Sequence, residues 1–162
     1  MDSDALKNGF HVPAGGDRHE ANGLMIWGKL PLANKVSGKD TRGQLYIFEH
    51  RNMGKGGPPR HIHFEQDEWF YVIAGEYAFE VGDRKSRLKA GDTLFAPRNV
   101  PHGWASVGDE PGTLLTIVSP VGPFEEFLME TTKYTTLPPP EEVARAFAEH
   151  GMEVVGPPLE VE

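Results

Sequence analysis

Apolar residues along this chain come in short clusters separated by glycine and proline. "GLMIWGKLPL" (23–32) predicts a short strand broken by its proline. "QLYIFEH" (44–50) is rich in aromatic and β-branched residues and predicts a second strand. "EWFYVIAGEYAFEVGD" (68–83) divides into two strands at Gly75, with Gly82 and Asp83 suited to a hairpin turn. "RKSRLKAGDTLFAP" (84–97) divides again at Gly91, and "VPHGWASVG" (100–108) and "GTLLTIVSPVG" (112–122) complete the series. Many short strands with turn signals between them predict a sandwich or barrel.

The period changes near residue 123. In "PFEEFLMETTKY" Phe124, Phe127 and Leu128 recur at helical spacing. "PPPEEVARAFAEHG" (138–151) opens on prolines and acids and closes on glycine, the start and stop signals of a second helix. The organisation predicted is a polar, Gly-rich arm over 1–22, a β domain over 23–122, and a C-terminal helical segment and tail over 123–162.

Composition narrows the function. The chain has 162 residues, with 24 acidic against 16 basic, for a formal charge of −8. An acidic surface repels phosphate backbones, so no nucleic-acid partner is expected. The basic run "RKSRLK" (84–89) lies in a predicted hairpin and reads as a solvated strand face. With no cysteine, disulfides, thiol catalysis and cysteine-ligated metals are excluded. No apolar run approaches the roughly 18 residues of a membrane span, and the start "MDSDALKNGF" lacks the basic and apolar regions of a signal peptide. Neither membrane nor export is expected, and the cytoplasm is the default location.

The candidate chemistry begins at "HIHFEQDEWF" (61–70). Side chains two apart in a strand share a face, so His61 and His63 can approach one ion while Ile62 packs the other way. "FEQD" (64–67) lets the chain turn, and Glu68, opening the next strand, can face back toward them. Glu65 shares the histidines' parity and is the competitor, but it lies beyond them in the strand or turn, so Glu68 is favoured. Further on, Pro97 and Pro101 frame a turn after which His102 starts a strand. If His102 faces inward, Trp104 and Ser106 do too. Three imidazoles and one carboxylate suit one divalent transition metal ion (Fe, Mn, Ni, Cu or Zn) better than Ca or Mg. One carboxylate offsets half the charge, and a six-coordinate ion keeps about two open positions.

These residues sit in two segments, "GGPPRHIHFEQDEWFYVIAG" and "GDTLFAPRNVPHGWAS", that resemble the two motifs of the cupin superfamily over roughly residues 40–120. Within it, "DEWFYVIAGEYAFEVG" and "APRNVPH" are most similar to small single-domain proteins of the quercetin 2,3-dioxygenase-like group. The resemblance implies an all-β, single-domain cupin jelly-roll barrel (a double-stranded β-helix), here followed by two C-terminal helices. It implies a metal inside the barrel at His61, His63, Glu68 and His102. The chain departs from the motif at Asn99, where glycine is usual, and at Ser106, where asparagine is usual. Neither is a ligand, and Asn tolerates unusual backbone angles.

Strand parity puts Phe70 and Val72 on the metal side and Trp69, Tyr71 and Ile73 on the other, so both faces are apolar. The outer face needs a cover: the N-terminal arm, the terminal helices, or a second subunit. Since such cupins commonly pair through a sheet face, a homodimer is expected. Phe70, Phe95, Trp104 and either Tyr46 or Phe48 would line an aromatic substrate pocket, with "GKGG" (54–57) as its rim and the helix from Phe124 over one mouth. The function implied is a metal-dependent dioxygenase, quercetinase-like, acting on a small aromatic or enolic hydroxy compound, with Glu68 as the catalytic proton acceptor. The alternatives are a non-oxidative metal-dependent isomerase, lyase or decarboxylase, and a ligand-binding cupin without turnover.

Overall fold

A computed structural model describes residues 3–19 and 21–162. Among these, the N-terminal arm holds one short helix, α1 (Ala5–Asn8), that buries no residue. The strands are β1 (Leu24–Ile26), β2 (Leu30–Val36), β3 (Tyr46–Met53), β4 (Pro59–His63), β5 (Asp67–Ala74), β6 (Glu76–Val81), β7 (Arg84–Lys89), β8 (Thr93–Ala96), β9 (His102–Ser106) and β10 (Gly112–Ser119). Helices α2 (Phe124–Thr131) and α3 (Pro140–Ala148) follow, and the chain closes on β11 (Met152–Pro158). Two sheets, ordered β1-β2-β3-β10-β5-β8 and β11-β4-β9-β6-β7, face one another. This is the all-β cupin jelly roll that the pattern and the motifs predict.

Two local expectations are corrected. The first apolar run is a hairpin, and it breaks at Trp27 and Gly28 instead of at Pro31. Both residues have positive φ (49° and 65°), the conformation of a tight turn whose hand matches strand twist. Pro31 stays inside β2, before that strand's pairing with β3 begins at Ala33. The expected tail also contains a strand. β11 pairs with β4 through Met152↔His63 and Val154↔His61, so the chain's end covers the strand that carries two of the histidines. The alternation of Met152 and Val154 signals it, but the run is cut short by Gly156, Pro157 and Pro158.

The inner face of the first sheet is an ordered grid. Across β3, β10 and β5, Tyr46–Val118–Glu68 form one row and Phe48–Thr116–Phe70 the next, while His50, Leu114 and Val72 form a third. All nine are buried. Helices α2 and α3 close one end by placing Phe124, Phe127, Leu128, Val143 and Phe147 against Trp27, Tyr46, Phe48 and Met152. Glu125, in the first turn of α2, anchors that helix to the barrel. Its carboxylate accepts from the Ser37 hydroxyl at 2.6 Å and from the Gly38 backbone N–H at 2.7 Å. A second cluster around Phe70, Phe79 and Trp104 fills the other end.

Candidate metal centre

The four predicted ligands converge. His61 and His63 come from β4, His102 from β9 directly opposite His61, and Glu68 from β5 in the facing sheet. One ligand atom from each lies within 4.8 Å of every other, and all four residues are buried. The ring centroids of His61 and His102 are 4.5 Å apart, and those of His61 and His63 are 5.0 Å apart. Glu65 is exposed in the turn after β4, so Glu68 is the carboxylate that reaches the cluster. Asn99 takes the left-handed conformation at φ 65° that the motif's glycine would take, and its N–H meets the His63 carbonyl at 2.8 Å.

The protonation pattern of the site fits a cation. A carbonyl oxygen only accepts, so His61 must donate Nδ1–H to Pro59, at 2.7 Å. His63 Nδ1 faces the Gln66 amide oxygen at 3.4 Å in the same sense. Both contacts leave Nε2 lone pairs for the cluster, as second-neighbour bonds do for metal-bound histidines. Burial, followed by the neighbouring imidazoles, pushes His61 well below the ordinary imidazole range. Burial also lowers His63, against the pull of Glu68. Burial pushes Glu68 up, but the imidazoles beside it, His63 foremost, outweigh this and hold its carboxyl at about 2. Two neutral imidazoles and an ionised carboxylate are the forms that bind metal.

The strongest indication is what these atoms lack. His63 Nε2, Glu68 Oε2 and both ring nitrogens of His102 are buried without an aligned hydrogen-bond partner among the described residues. His102 Nε2 and Glu68 Oε2 approach to 2.7 Å, yet neither satisfies the other's geometry. Unsatisfied buried polar atoms are rare and costly. A shared metal ion would satisfy His63 Nε2, Glu68 Oε2 and one of the two ring nitrogens of His102, so the set fits one. Aromatic rings hold the imidazoles in place: Phe147 against His61 at 5.1 Å, Phe124 against His63 at 5.0 Å and Phe70 against His102 at 6.1 Å.

His61 and Glu68 form one wall of a mostly apolar cavity of about 100 Å³. Of the predicted pocket residues, Phe48, Phe70 and Trp104 line it. Tyr46 shares their face, but its hydroxyl bonds Asn34 and its ring packs on Phe48 at 4.8 Å, which makes it core. Phe95 is a correction. Glu68↔Ala96 and Phe70↔Leu94 are inward pairs, so Phe95, opposite Trp69, faces out and is 57% exposed. Gly57 lines the cavity as the rim loop predicts, and a Cβ there would collide with the Trp104 carbonyl. Helix α2 contributes Phe124, Phe127 and Leu128. Sequence reasoning missed His50 and Thr116, which also line the cavity. Their only signal is that they share parity with Phe48 and Val118.

Comparison with known proteins agrees with this geometry. Residues 48–118 match the Cupin_2 family, a cupin domain. Over 63 residues the chain is 30% identical to Protein SchB of Streptomyces halstedii, a stretch covering 39% of this chain and 46% of SchB. The chain matches under half the length of the curated relatives it resembles. An RmlC-like cupin from Shewanella frigidimarina superposes with a TM-score of 0.55 at 25% identity, over 73% of this chain and 96% of that one. The structure of KdgF from Halomonas sp. superposes with a TM-score of 0.54 at 22% identity, over 67% of this chain and 94% of KdgF. With the buried His/His/Glu/His cluster inside a jelly roll, the chain has the cupin fold, and its residues 48–118 match a cupin domain.

Proposed function

We propose that this chain is a metal-dependent cupin dioxygenase acting on a small aromatic or enolic hydroxy compound. The observation that carries this reading is the opening of the four-residue cluster, through His61 and Glu68, onto a cavity walled by Phe48, Phe70 and Trp104. His61, His63, Glu68 and His102 would hold a divalent first-row ion, which would supply an electrophilic centre and the redox chemistry an oxygenase needs. The chain's own residues do the rest. The aromatic walls hold a flat ring and exclude water. Glu68, at the cavity wall, is the proposed acceptor of the proton that a substrate hydroxyl loses, a role open to it only when its carboxylate partly leaves the ligand set.

Cavity size refines the substrate. A dry cavity of about 150 Å³ takes up benzene. At about 100 Å³ this one is smaller, so it would enclose no more than a single ring or a short enolic chain, and a larger flavonoid would have to extend through the mouth by Lys29 and Leu137. The dioxygenase assignment rests on the resemblance of "DEWFYVIAG" and "APRNVPH" to the quercetinase-like group, and fold alone does not set chemistry.

Oxygen uptake by protein loaded in turn with iron, nickel, copper or manganese tests the reading, with catechol, other single-ring diols and flavonols offered. Uptake coupled to substrate loss, and absent from a His61→Ala/His63→Ala variant, is expected. Substrate conversion that proceeds equally without dioxygen would overturn the oxygenase assignment and favour isomerase, lyase or decarboxylase chemistry at the same ion.

A further inference from the structure

Beyond the ligand set, one more histidine faces the cavity. His50, on β3, is 3% exposed and lines the same space as His61 and Glu68. Its Nδ1 lies 2.6 Å from the Pro31 carbonyl, which only accepts, so Nδ1 carries the proton and Nε2 is a bare lone pair. No other described group hydrogen-bonds this ring. The imidazole cannot swing away, since Trp104 packs on it at 5.3 Å and Phe48 meets it edge-on at 5.5 Å. Burial in this apolar setting also lowers its pKa to about 4, so the ring stays a neutral acceptor at pH 7.

The sheet register places His50 at the far end of a polar line. Thr116 is diagonal to Glu68, because Val118 pairs with Glu68 and Thr116 with Phe70. His50 is diagonal to Thr116 in the same direction, because Thr116 pairs with Phe48 and Leu114 with His50. Each diagonal step spans about 7–8 Å between Cα atoms. Thr116 Oγ1 is itself buried without a partner and lines the cavity. The inner face therefore presents Glu68, a hydroxyl and an imidazole in a row, and the surrounding walls are apolar.

We infer that His50 is the second polar anchor of the pocket: its Nε2 accepts a hydrogen bond from a hydroxyl on the substrate ring, opposite the oxygen that lies at the His/Glu cluster, with Thr116 between the two. This deepens the reading of the site as a pocket for small hydroxylated rings and rests on it. It makes His50 a specificity-determining residue, because a site built around a buried acceptor rejects an analogue that lacks the matching donor.

Two isosteric probes test it, 4-hydroxybenzoate and 4-methylbenzoate, which share an anionic end and differ only in a hydroxyl or methyl opposite. Their affinities are measured by calorimetry on zinc-loaded protein, with metal content determined on the same samples. The parent is expected to prefer the hydroxylated probe by at least about tenfold. His50→Leu is expected to lose that preference while keeping its metal and its affinity for 4-methylbenzoate. In the parent, the ¹⁵N resonance of His50 Nε2 is expected to shift on adding 4-hydroxybenzoate and not 4-methylbenzoate. A parent that does not distinguish the probes, a His50→Leu variant that still does, or an unmoved His50 resonance would overturn the assignment. Loss of the four-ligand reading would show separately, as absence of metal from the parent.

Discussion

At the scale of single residues, ionisation states are set by burial and by neighbours. His50 has a folded pKa near 4, against about 6.5 for a free imidazole. Between those values the unfolded chain binds a proton that the folded chain refuses, so stability falls as the pH is lowered through that window. One such proton is worth about 1.4 kcal/mol per pH unit. Urea unfolding at pH 6.5 and pH 5 should therefore show the parent losing about 1–2 kcal/mol more than His50→Leu. Equal losses would mean that His50 is not held neutral. The ligand histidines were legible in the sequence because a two-residue spacing in a strand fixes a shared face. His50 was not, because one histidine closing an apolar run carries no partner in sequence. Its importance appears only once β3, β10 and β5 are in register.

At the scale of elements, the site depends on pieces far from its motifs. Helix α2 brings Phe127, 2% exposed, against Trp27, Phe124, Phe147 and His150. Removing a fully buried aromatic costs about 3–5 kcal/mol. Phe127→Ala is expected to lose stability of that order in denaturant unfolding, and a change under 1 kcal/mol would mean the helix is not part of the core. Both helices could be read from their periodicity and their proline and glycine punctuation. β11 could not, since a strand of seven residues ending in Gly-Pro-Pro looks like a tail until its partner strand is known. The same logic misplaced Phe95. Its aromatic character suggested a pocket, but only its cross-strand partner, Trp69, tells which way it faces.

At the scale of the whole molecule, the outer face of β5 and β8 is left apolar. Trp69 and Tyr71 stack there at 6.0 Å, beside Ile73 at 45% and Phe95 at 57% exposure. The terminal helices pack at the cavity instead, and the described arm residues run beside β2, through bonds such as Arg18 N–H to the Asn34 carbonyl. Of the three covers expected from the sequence, a second copy of the chain remains, and we propose a homodimer through this face. Light scattering should give twice the chain mass for the parent, and an Ile73→Lys/Phe95→Lys variant should be monomeric. A monomeric parent would contradict the proposal. No described helix is long and apolar enough to cross a membrane. The barrel itself was legible from strand spacing and two motifs, because jelly-roll closure leaves a dense record of turns.

The account stands on one cation shared by His61, His63, Glu68 and His102, and X-ray absorption spectroscopy on freshly purified protein with quantified metal tests this directly. The expected result is one first-row ion per chain, with three imidazole nitrogens and one carboxylate oxygen in its coordination shell, and no bound ion in a folded His61→Ala/His63→Ala variant. A parent without stoichiometric metal, or a double variant that holds it equally well, would contradict it.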